Sequence, residues 1–152
     1  MTAAEFFELL RIFGLCAAAT MFYALLLRTP VKALFLSAVL GSTGYVVFIL
    51  SDRYMANTLT AYFLGTLFIS VTGELLARIM RMPSTVFVIP SVIPLVPGYG
   101  LYLSMLLLVQ NDFDGFIKTG AQTLFTAGIM AVAIALTNFV ARRIIPSSNL
   151  KK

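Results

Sequence analysis

The stretch Val86–Tyr102, VFVIPSVIPLVPGYGLY, interrupts a chain that is otherwise almost uniformly apolar. Five of its residues disturb a helix: Pro90, Pro94, Pro97, Gly98 and Gly100. A proline removes a backbone donor and clashes with the preceding turn, so this pattern predicts a broken helix. In hydrocarbon every unpaired peptide group is costly, and irregular backbone survives there only inside protein or along a wet cavity. Whether this stretch crosses a membrane therefore decides the fold.

The composition of the whole chain indicates a membrane protein. Hydrophobic residues make up 60% of the 152 residues and charged residues only 11%, whereas a soluble domain has about 45–50% and about 25%. A chain of this length is too short for more than one domain. We therefore predict an all-α integral membrane protein whose residues 1–152 form a single transmembrane domain.

The charges and reactive residues exclude several classes of function. The formal net charge is +5, but the eleven Lys and Arg are scattered and form no basic stripe for nucleic acid. The chain has no histidine and a single cysteine, Cys16, so it has no intrachain disulfide and lacks the commonest metal ligand. The sequence has no paired carboxylates, nucleophile–base pair or phosphate loop. We predict no enzymatic activity, no cofactor and no metal.

Five apolar stretches are long enough to span the membrane, since crossing about 30 Å of hydrocarbon takes about 20 helical residues. They are Phe6–Leu27, Val31–Leu50, Asn57–Ala77, Thr85–Gln110 and Thr119–Ala141. The first resembles a secretory signal in length. Its leading residues are acidic before they are basic, so we predict a retained helix.

The basic residues predict the orientation of these spans. Eight of the eleven lie in the first and third connectors and in the C-terminal tail, which share one side. The positive-inside rule then places the N-terminus outside and the C-terminus in the cytoplasm. A re-entrant hairpin at Thr85–Gln110 would instead export the basic tail. We therefore predict that this segment crosses as one discontinuous span, broken at the Pro-x-x-Pro-Gly motif.

Small residues recur at every fourth position in three of the predicted spans. In lipid such spacing lets two helices approach closely. We predict packing within the chain rather than an interface between subunits. The positions are Ser37 and Gly41, Ala61 and Gly65, and the series Thr123, Ala127, Ala131 and Ala135.

The broken segment is the predicted substrate site. Its prolines would free the carbonyls of Val86, Pro90 and Ile93, which suit a cation or an ammonium group. A second half-helix starting near Leu101 would aim its free N–H groups at the bilayer interior and attract a carboxylate. We also expect Gly100 to adopt left-handed backbone angles. The predicted substrate-binding residues are Ser91, Pro94, Pro97, Gly98, Tyr99, Gly100 and Tyr102.

Other polar residues in the spans allow two interpretations each. Apart from Glu8 near the start of the first stretch, Glu74 is the only acid within an apolar run, which suggests proton coupling. It also stands four residues from Arg78, as in a structural ion pair. A second group either lines a pathway or cross-links helices. It comprises Gln122, Thr123, Thr126, Thr137 and Asn138.

Three motifs, Pro30–Leu34, Leu40–Gly44 and Val92–Gly98, resemble the threonine/serine exporter (ThrE-like) family. Within it, the chain is most similar to the small five-helix subunit of the split form (YjjB-like). The resemblance implies export of small carboxylates, either threonine and serine or a succinate-like dicarboxylate, driven by the proton motive force. It also implies a bacterial cytoplasmic (inner) membrane location and a partner, a larger five-helix subunit with a cytoplasmic N-terminal region.

Two alternative functions fit the same residues. One is an accessory subunit that transports nothing and anchors or stabilises the larger subunit. The other is a passive channel, whose flux would not depend on the proton gradient. The sequence also leaves open whether the substrate site lies within this chain or at the interface with its partner.

Overall fold

A computed structural model describes residues 3–55 and 57–144. Within these ranges the chain forms six α-helices, one 3-10 turn and no β-strand, which confirms the all-α prediction. Lys151 and Lys152 of the predicted basic tail lie outside the described residues. The elements are α1 (Ala3–Leu26), α2 (Val31–Met55), α3 (Thr58–Met80), α4 (Thr85–Val92), the 3-10 turn (Ile93–Leu95), α5 (Gly98–Val109) and α6 (Phe113–Ile144).

Four of the described helices, α1, α2, α3 and α6, are each long and apolar enough to cross a membrane. The element formed by α4 and the 3-10 turn, taken together with α5, passes the same test, and its two parts are bent by 51° at a short break. Length and composition therefore give four spans, or five if the bent pair crosses as one.

All four long helices extend beyond the apolar runs that predicted them, α2 and α6 by the most. Helix α2 continues to Met55. Helix α6 begins at Phe113 instead of Thr119, because the Asp112 side chain caps it by accepting a hydrogen bond from the Gly115 N–H at 2.9 Å. Polar turns at a membrane surface extend a helix without apolar residues, so hydropathy alone underestimates its length.

The helices form one packed bundle around α2, which contacts α1, α3 and α4, while α6 packs on α3 and α5. Small residues let α2, α3 and the 3-10 turn approach one another closely where they cross. A side chain on Gly44 would collide with Ile69 of α3, and a Cβ on Gly65 would lie 2.9 Å from Leu95 Cδ2 in the 3-10 turn. The buried apolar cluster includes Leu40, Ile69, Phe87, Leu95 and Met130.

The predicted small-residue packing is confirmed on α2 and α3, where Ser37, Gly41, Ala61 and Gly65 are buried. On α6 it is wrong for three of four positions, since only Thr123 is buried. The exposed positions are Ala127, Ala131 and Ala135. Because α6 is apolar all round, small-residue spacing alone does not identify its packed face. That face carries Thr126, Met130, Ala133 and Thr137.

Candidate functional site

The helix break lies at Val96 and Pro97. Helix α4 continues through Pro90 to Val92 and then tightens into the 3-10 turn. Val96 is extended, with φ −56° and ψ 127°, and α5 starts at Gly98, three residues earlier than expected. Pro94 stands at the start of the 3-10 turn, where a missing N–H leaves no gap in the hydrogen-bond ladder.

The three carbonyls that we expected to be free all accept hydrogen bonds. Val86 O accepts from Ser37 Oγ at 3.5 Å, Pro90 O from the Ile93 N–H, and Ile93 O from the Val96 N–H at 3.1 Å. The prediction of free carbonyls is therefore wrong. At Pro90 and Ile93 the chain shifts to bonds between residues three apart, which bypass the prolines, whereas Val86 O is reached by a side chain of α2.

The prediction for Gly100 is also wrong, because no glycine in the described ranges has a positive φ. Its small size serves another purpose. A Cβ on Gly100 would collide with Thr123 Oγ1 on α6, whereas a Cβ on Gly98 would meet nothing within 4 Å. Gly100 thus permits close helix packing, and Gly98 faces open space at the start of α5.

The start of α5 presents backbone donors beside this open space. The Gly98 N–H bonds Val96 O at 2.7 Å, and the Leu101 N–H bonds Pro97 O at 3.2 Å. The N–H groups of Tyr99 and Gly100 have no carbonyl one turn earlier within the helix. Together with the helix dipole, these groups make the start of α5 electropositive.

The predicted substrate-binding residues separate into three locations. Pro94, Pro97, Gly98 and Gly100 lie together at the break. Ser91 is fully buried on α4 and donates to Ser37 O at 2.9 Å. The outer face of α5 carries Tyr99 and Tyr102, which are 75% and 63% exposed. A role in substrate binding stays a prediction for all seven.

Glu74 forms the ion pair that its spacing suggests. Arg78 Nη2 lies 3.4 Å from Glu74 Oε1 and also donates to Ala141 O at 2.9 Å. Arg78 therefore ties the end of α3 to the end of α6. A role for Glu74 in proton coupling remains a prediction.

The hydroxyls of α6 bond within their own helix. Thr123, Thr126 and Thr137 each donate to the carbonyl four residues earlier, at 2.7–3.0 Å. Local bonds of this kind satisfy a hydroxyl in an apolar segment without any partner helix. These three threonines therefore do not cross-link helices through their hydroxyls.

Three buried hydroxyls, those of Thr20, Thr66 and Ser70, have no hydrogen-bond partner within the described residues. Burying an unpaired hydroxyl costs about 1–3 kcal/mol by mutational data, so each of these positions is unfavourable as it stands. The Gly41 Cβ position would lie 2.5 Å from Thr20 Oγ1 and 3.1 Å from Ser91 O, which places Thr20 beside α4. None of the three is evident from the sequence, because a hydroxyl in a membrane helix usually bonds a carbonyl of its own helix.

A groove of about 300 Å³ separates α4 from α6. Ser84 and Thr85 at the start of α4 and Asn138 of α6 supply its polar groups, and apolar side chains continue it to Val96 at the break.

The described residues hold no group of three or more Cys, Asp or Glu side chains suited to a metal ion.

The long apolar helices and the bent pair define a multi-pass membrane protein. The sequence profile described as Threonine/Serine exporter, ThrE, matches residues 13–140. The chain belongs to the threonine/serine exporter family.

Two relatives give the extent of the similarity. A threonine/serine exporter of Corynebacterium glutamicum is 30% identical over 110 residues, which cover 72% of this chain and 22% of the relative. An uncharacterized protein of Haemophilus influenzae is 28% identical over 122 residues, 75% of this chain and 41% of the relative. The chain thus spans less than half the length of either. No solved structure matches the chain significantly.

Proposed function

We propose that this chain is a membrane subunit of a two-component secondary transporter that exports small carboxylates. The substrate is a succinate-like dicarboxylate, or threonine and serine, and the proton motive force drives its export. Family membership supports export, and the electropositive start of α5 favours a substrate that carries a carboxylate. Glu74 is the residue that we assign to proton coupling.

The break between α4 and α5 is the observation that carries this proposal. It combines a 51° bend with helix N–H groups and with open space at Gly98. Discontinuous helices of this kind form midplane substrate sites in secondary transporters. In our proposal the bent pair crosses as one span, the fourth of five, with the N-terminus outside and the C-terminus in the cytoplasm of a bacterial inner membrane.

The partner that we propose is a larger five-helix subunit with a cytoplasmic N-terminal region. The coverage of the relatives supports it, because the matched region makes up 22% of one relative and 41% of the other. The additional polypeptide would complete the transporter, and the substrate would bind where the two parts meet.

Replacing Pro97 and Gly98 with two alanines tests the role of the break. We expect a continuous helix and a loss of efflux of at least about tenfold, since an interaction worth about 1.4 kcal/mol changes a rate tenfold. The measurement is efflux of labelled substrate from proteoliposomes that hold both subunits. A Cβ at Gly98 meets nothing within 4 Å, so the variant creates no clash.

Gly128→Ala is the matched control, because Gly128 is also helical and also open within 4 Å. It should insert and transport like the unmodified protein. Unchanged efflux in the Pro97–Gly98 variant would refute a functional break.

Two further measurements test the alternative functions. If the larger subunit alone exports at the full rate, this chain is an accessory subunit. Flux that persists after collapse of the proton gradient identifies a passive channel.

A further inference from the structure

Two of the unpaired hydroxyls belong to a polar stripe along α3. Thr66, Ser70, Glu74 and Arg78 recur at every fourth position. At 3.6 residues per turn, each step turns the stripe about 40° around the helix and advances it about 6 Å. The stripe therefore leads from the buried middle of α3 to Glu74, whose side chain is 22% exposed.

The contacts of α3 show which helices this stripe faces. Gly73 lies about 20° from Thr66 around the helix, and a Cβ there would be 2.7 Å from Val88 Cγ2 on α4. At the other end of the stripe, Arg78 donates to a carbonyl of α6 at 2.9 Å. The stripe thus follows the seam where α3 meets α4 on one side and α6 on the other.

The groove between α4 and α6 runs beside this seam, and its lining comes from residues of the α4 segment and of α6, with none from α3. Its polar groups, from Ser84, Thr85 and Asn138, lie at the start of α4 and near the end of α6. Its apolar end reaches Val96, next to the break. The seam and the groove therefore connect the same two places, namely the charged end of α3 and the break.

Among the described residues, Thr20 is the third buried hydroxyl without a partner, and it lies on α1, away from this stripe. Buried serines elsewhere in the bundle are satisfied. Ser42 donates to Ala38 O at 2.8 Å and Ser104 to Leu101 O at 2.9 Å, each within its own helix. A hydroxyl both donates and accepts hydrogen bonds, as water does. Buried water typically occupies sites where protein polar groups lack partners.

We propose that Thr66 and Ser70 line a water path along the α3–α4–α6 seam, between Glu74 and the break at Val96–Gly98. Thr66 and Ser70 are 0% and 2% exposed, so the path is closed in this structure and opens when α4 or α6 moves away from α3, on which both helices pack. That the Glu74 end of the path faces the cytoplasm rests on the proposed function. That the path holds water does not depend on the proposed function.

The test is the reactivity of single cysteines in membrane vesicles that contain the full chain, with Cys16 replaced by alanine. Ser70→Cys and Thr66→Cys are treated with N-ethylmaleimide, which reacts with the thiolate, a form that requires contact with water. We expect both to react at least about tenfold faster than Ser42→Cys and Ser104→Cys, the matched buried controls. Equal rates at all four positions would overturn the water path.

This reactivity does not depend on transport, so it separates the two proposals. Fast labelling of Ser70→Cys in a protein that exports nothing supports the path and refutes the function. Efflux together with slow labelling of both Thr66→Cys and Ser70→Cys would support the function and refute the water path.

A second pair of variants guards against misfolding of the cysteine proteins. Thr66→Val and Ser70→Ala remove the hydroxyls, and Ser42→Ala is their control. If the hydroxyls serve water, the first two should keep or raise thermal stability while efflux falls at least about tenfold. Thr66→Ser should restore efflux. Wild-type efflux in both Thr66→Val and Ser70→Ala would contradict the proposal.

Discussion

Two glycines that are two residues apart in α5 lack a side chain for different reasons. Gly100 lies against Thr123 of α6, where a Cβ would collide with the hydroxyl oxygen, while Gly98 faces open space. Neither has a positive φ. Gly100 therefore sets the distance between α5 and α6, whereas Gly98 leaves the start of α5 accessible.

This difference predicts effects of different size for alanine at the two positions. Gly100→Ala should lower the free energy of unfolding by about 1–3 kcal/mol, because it overpacks the α5–α6 contact. Gly98→Ala should change it by less than about 1 kcal/mol. Thermal unfolding in detergent measures both.

A second substitution tests whether the α5–α6 contact causes the loss of stability in Gly100→Ala. Thr123→Ala removes the two nearest atoms that the new methyl group would meet, Oγ1 and Cγ2, and leaves only an ordinary contact with Thr123 Cβ. It should therefore restore most of the stability of Gly100→Ala. If the double variant is no more stable than the single one, the α5–α6 contact does not explain the loss.

At the scale of the helices, Arg78 joins two elements that are far apart in sequence. It holds both Glu74 on its own helix and Ala141 O on α6. A hydrogen bond between a charged group and a carbonyl contributes more than a surface ion pair does. The inter-helix bond therefore dominates the stabilising effect of this cluster.

We expect Arg78→Ala to destabilise the protein by about 2 kcal/mol and Glu74→Gln by less than about 1 kcal/mol. Equal losses would contradict this ranking. Because Glu74→Gln should remain folded, its transport also tests coupling: efflux that no longer responds to the proton gradient would support a coupling role for Glu74. Gradient-dependent efflux at the normal rate would leave Glu74 as a structural partner only.

Helix α6 shows where sequence reasoning fails at this scale. Its length, its apolar character and its polar cap at Asp112 are local signals. Which side of α6 packs inward is not a local signal, because lipid and the protein interior are equally apolar. Small residues at Ala127 and Ala131 suggested the wrong face, and the structure instead buries Met130 and Ala133.

For the whole molecule, much of the fold follows from the sequence. Apolar length gives the four long helices, and Pro97 with Gly98 gives the position of the break. The candidate site was less predictable. The carbonyl of Val86 is satisfied by Ser37, 49 residues away, and Thr66 remains unpaired through a side-chain orientation that no spacing reveals. Both depend on tertiary packing.

The orientation of the bundle is a separate prediction, which labelling of single cysteines tests. With Cys16 replaced, a cysteine at Asp114 should react with an impermeant maleimide from outside the cell. One at Asn149, outside the described residues, should react only from the cytoplasmic side. The reverse pattern would refute the charge argument.

The bend also sets how well the broken segment matches the thickness of a membrane. A straight α4, 3-10 turn and α5 would measure about 36 Å, from about 1.5 Å per α-helical residue and about 2 Å per 3-10 residue. The 51° bend shortens the end-to-end distance to about 32 Å, close to the roughly 30 Å of bilayer hydrocarbon. As a single span, the bent segment therefore fits an average bilayer with little further tilt, and a thicker membrane would favour its straightening.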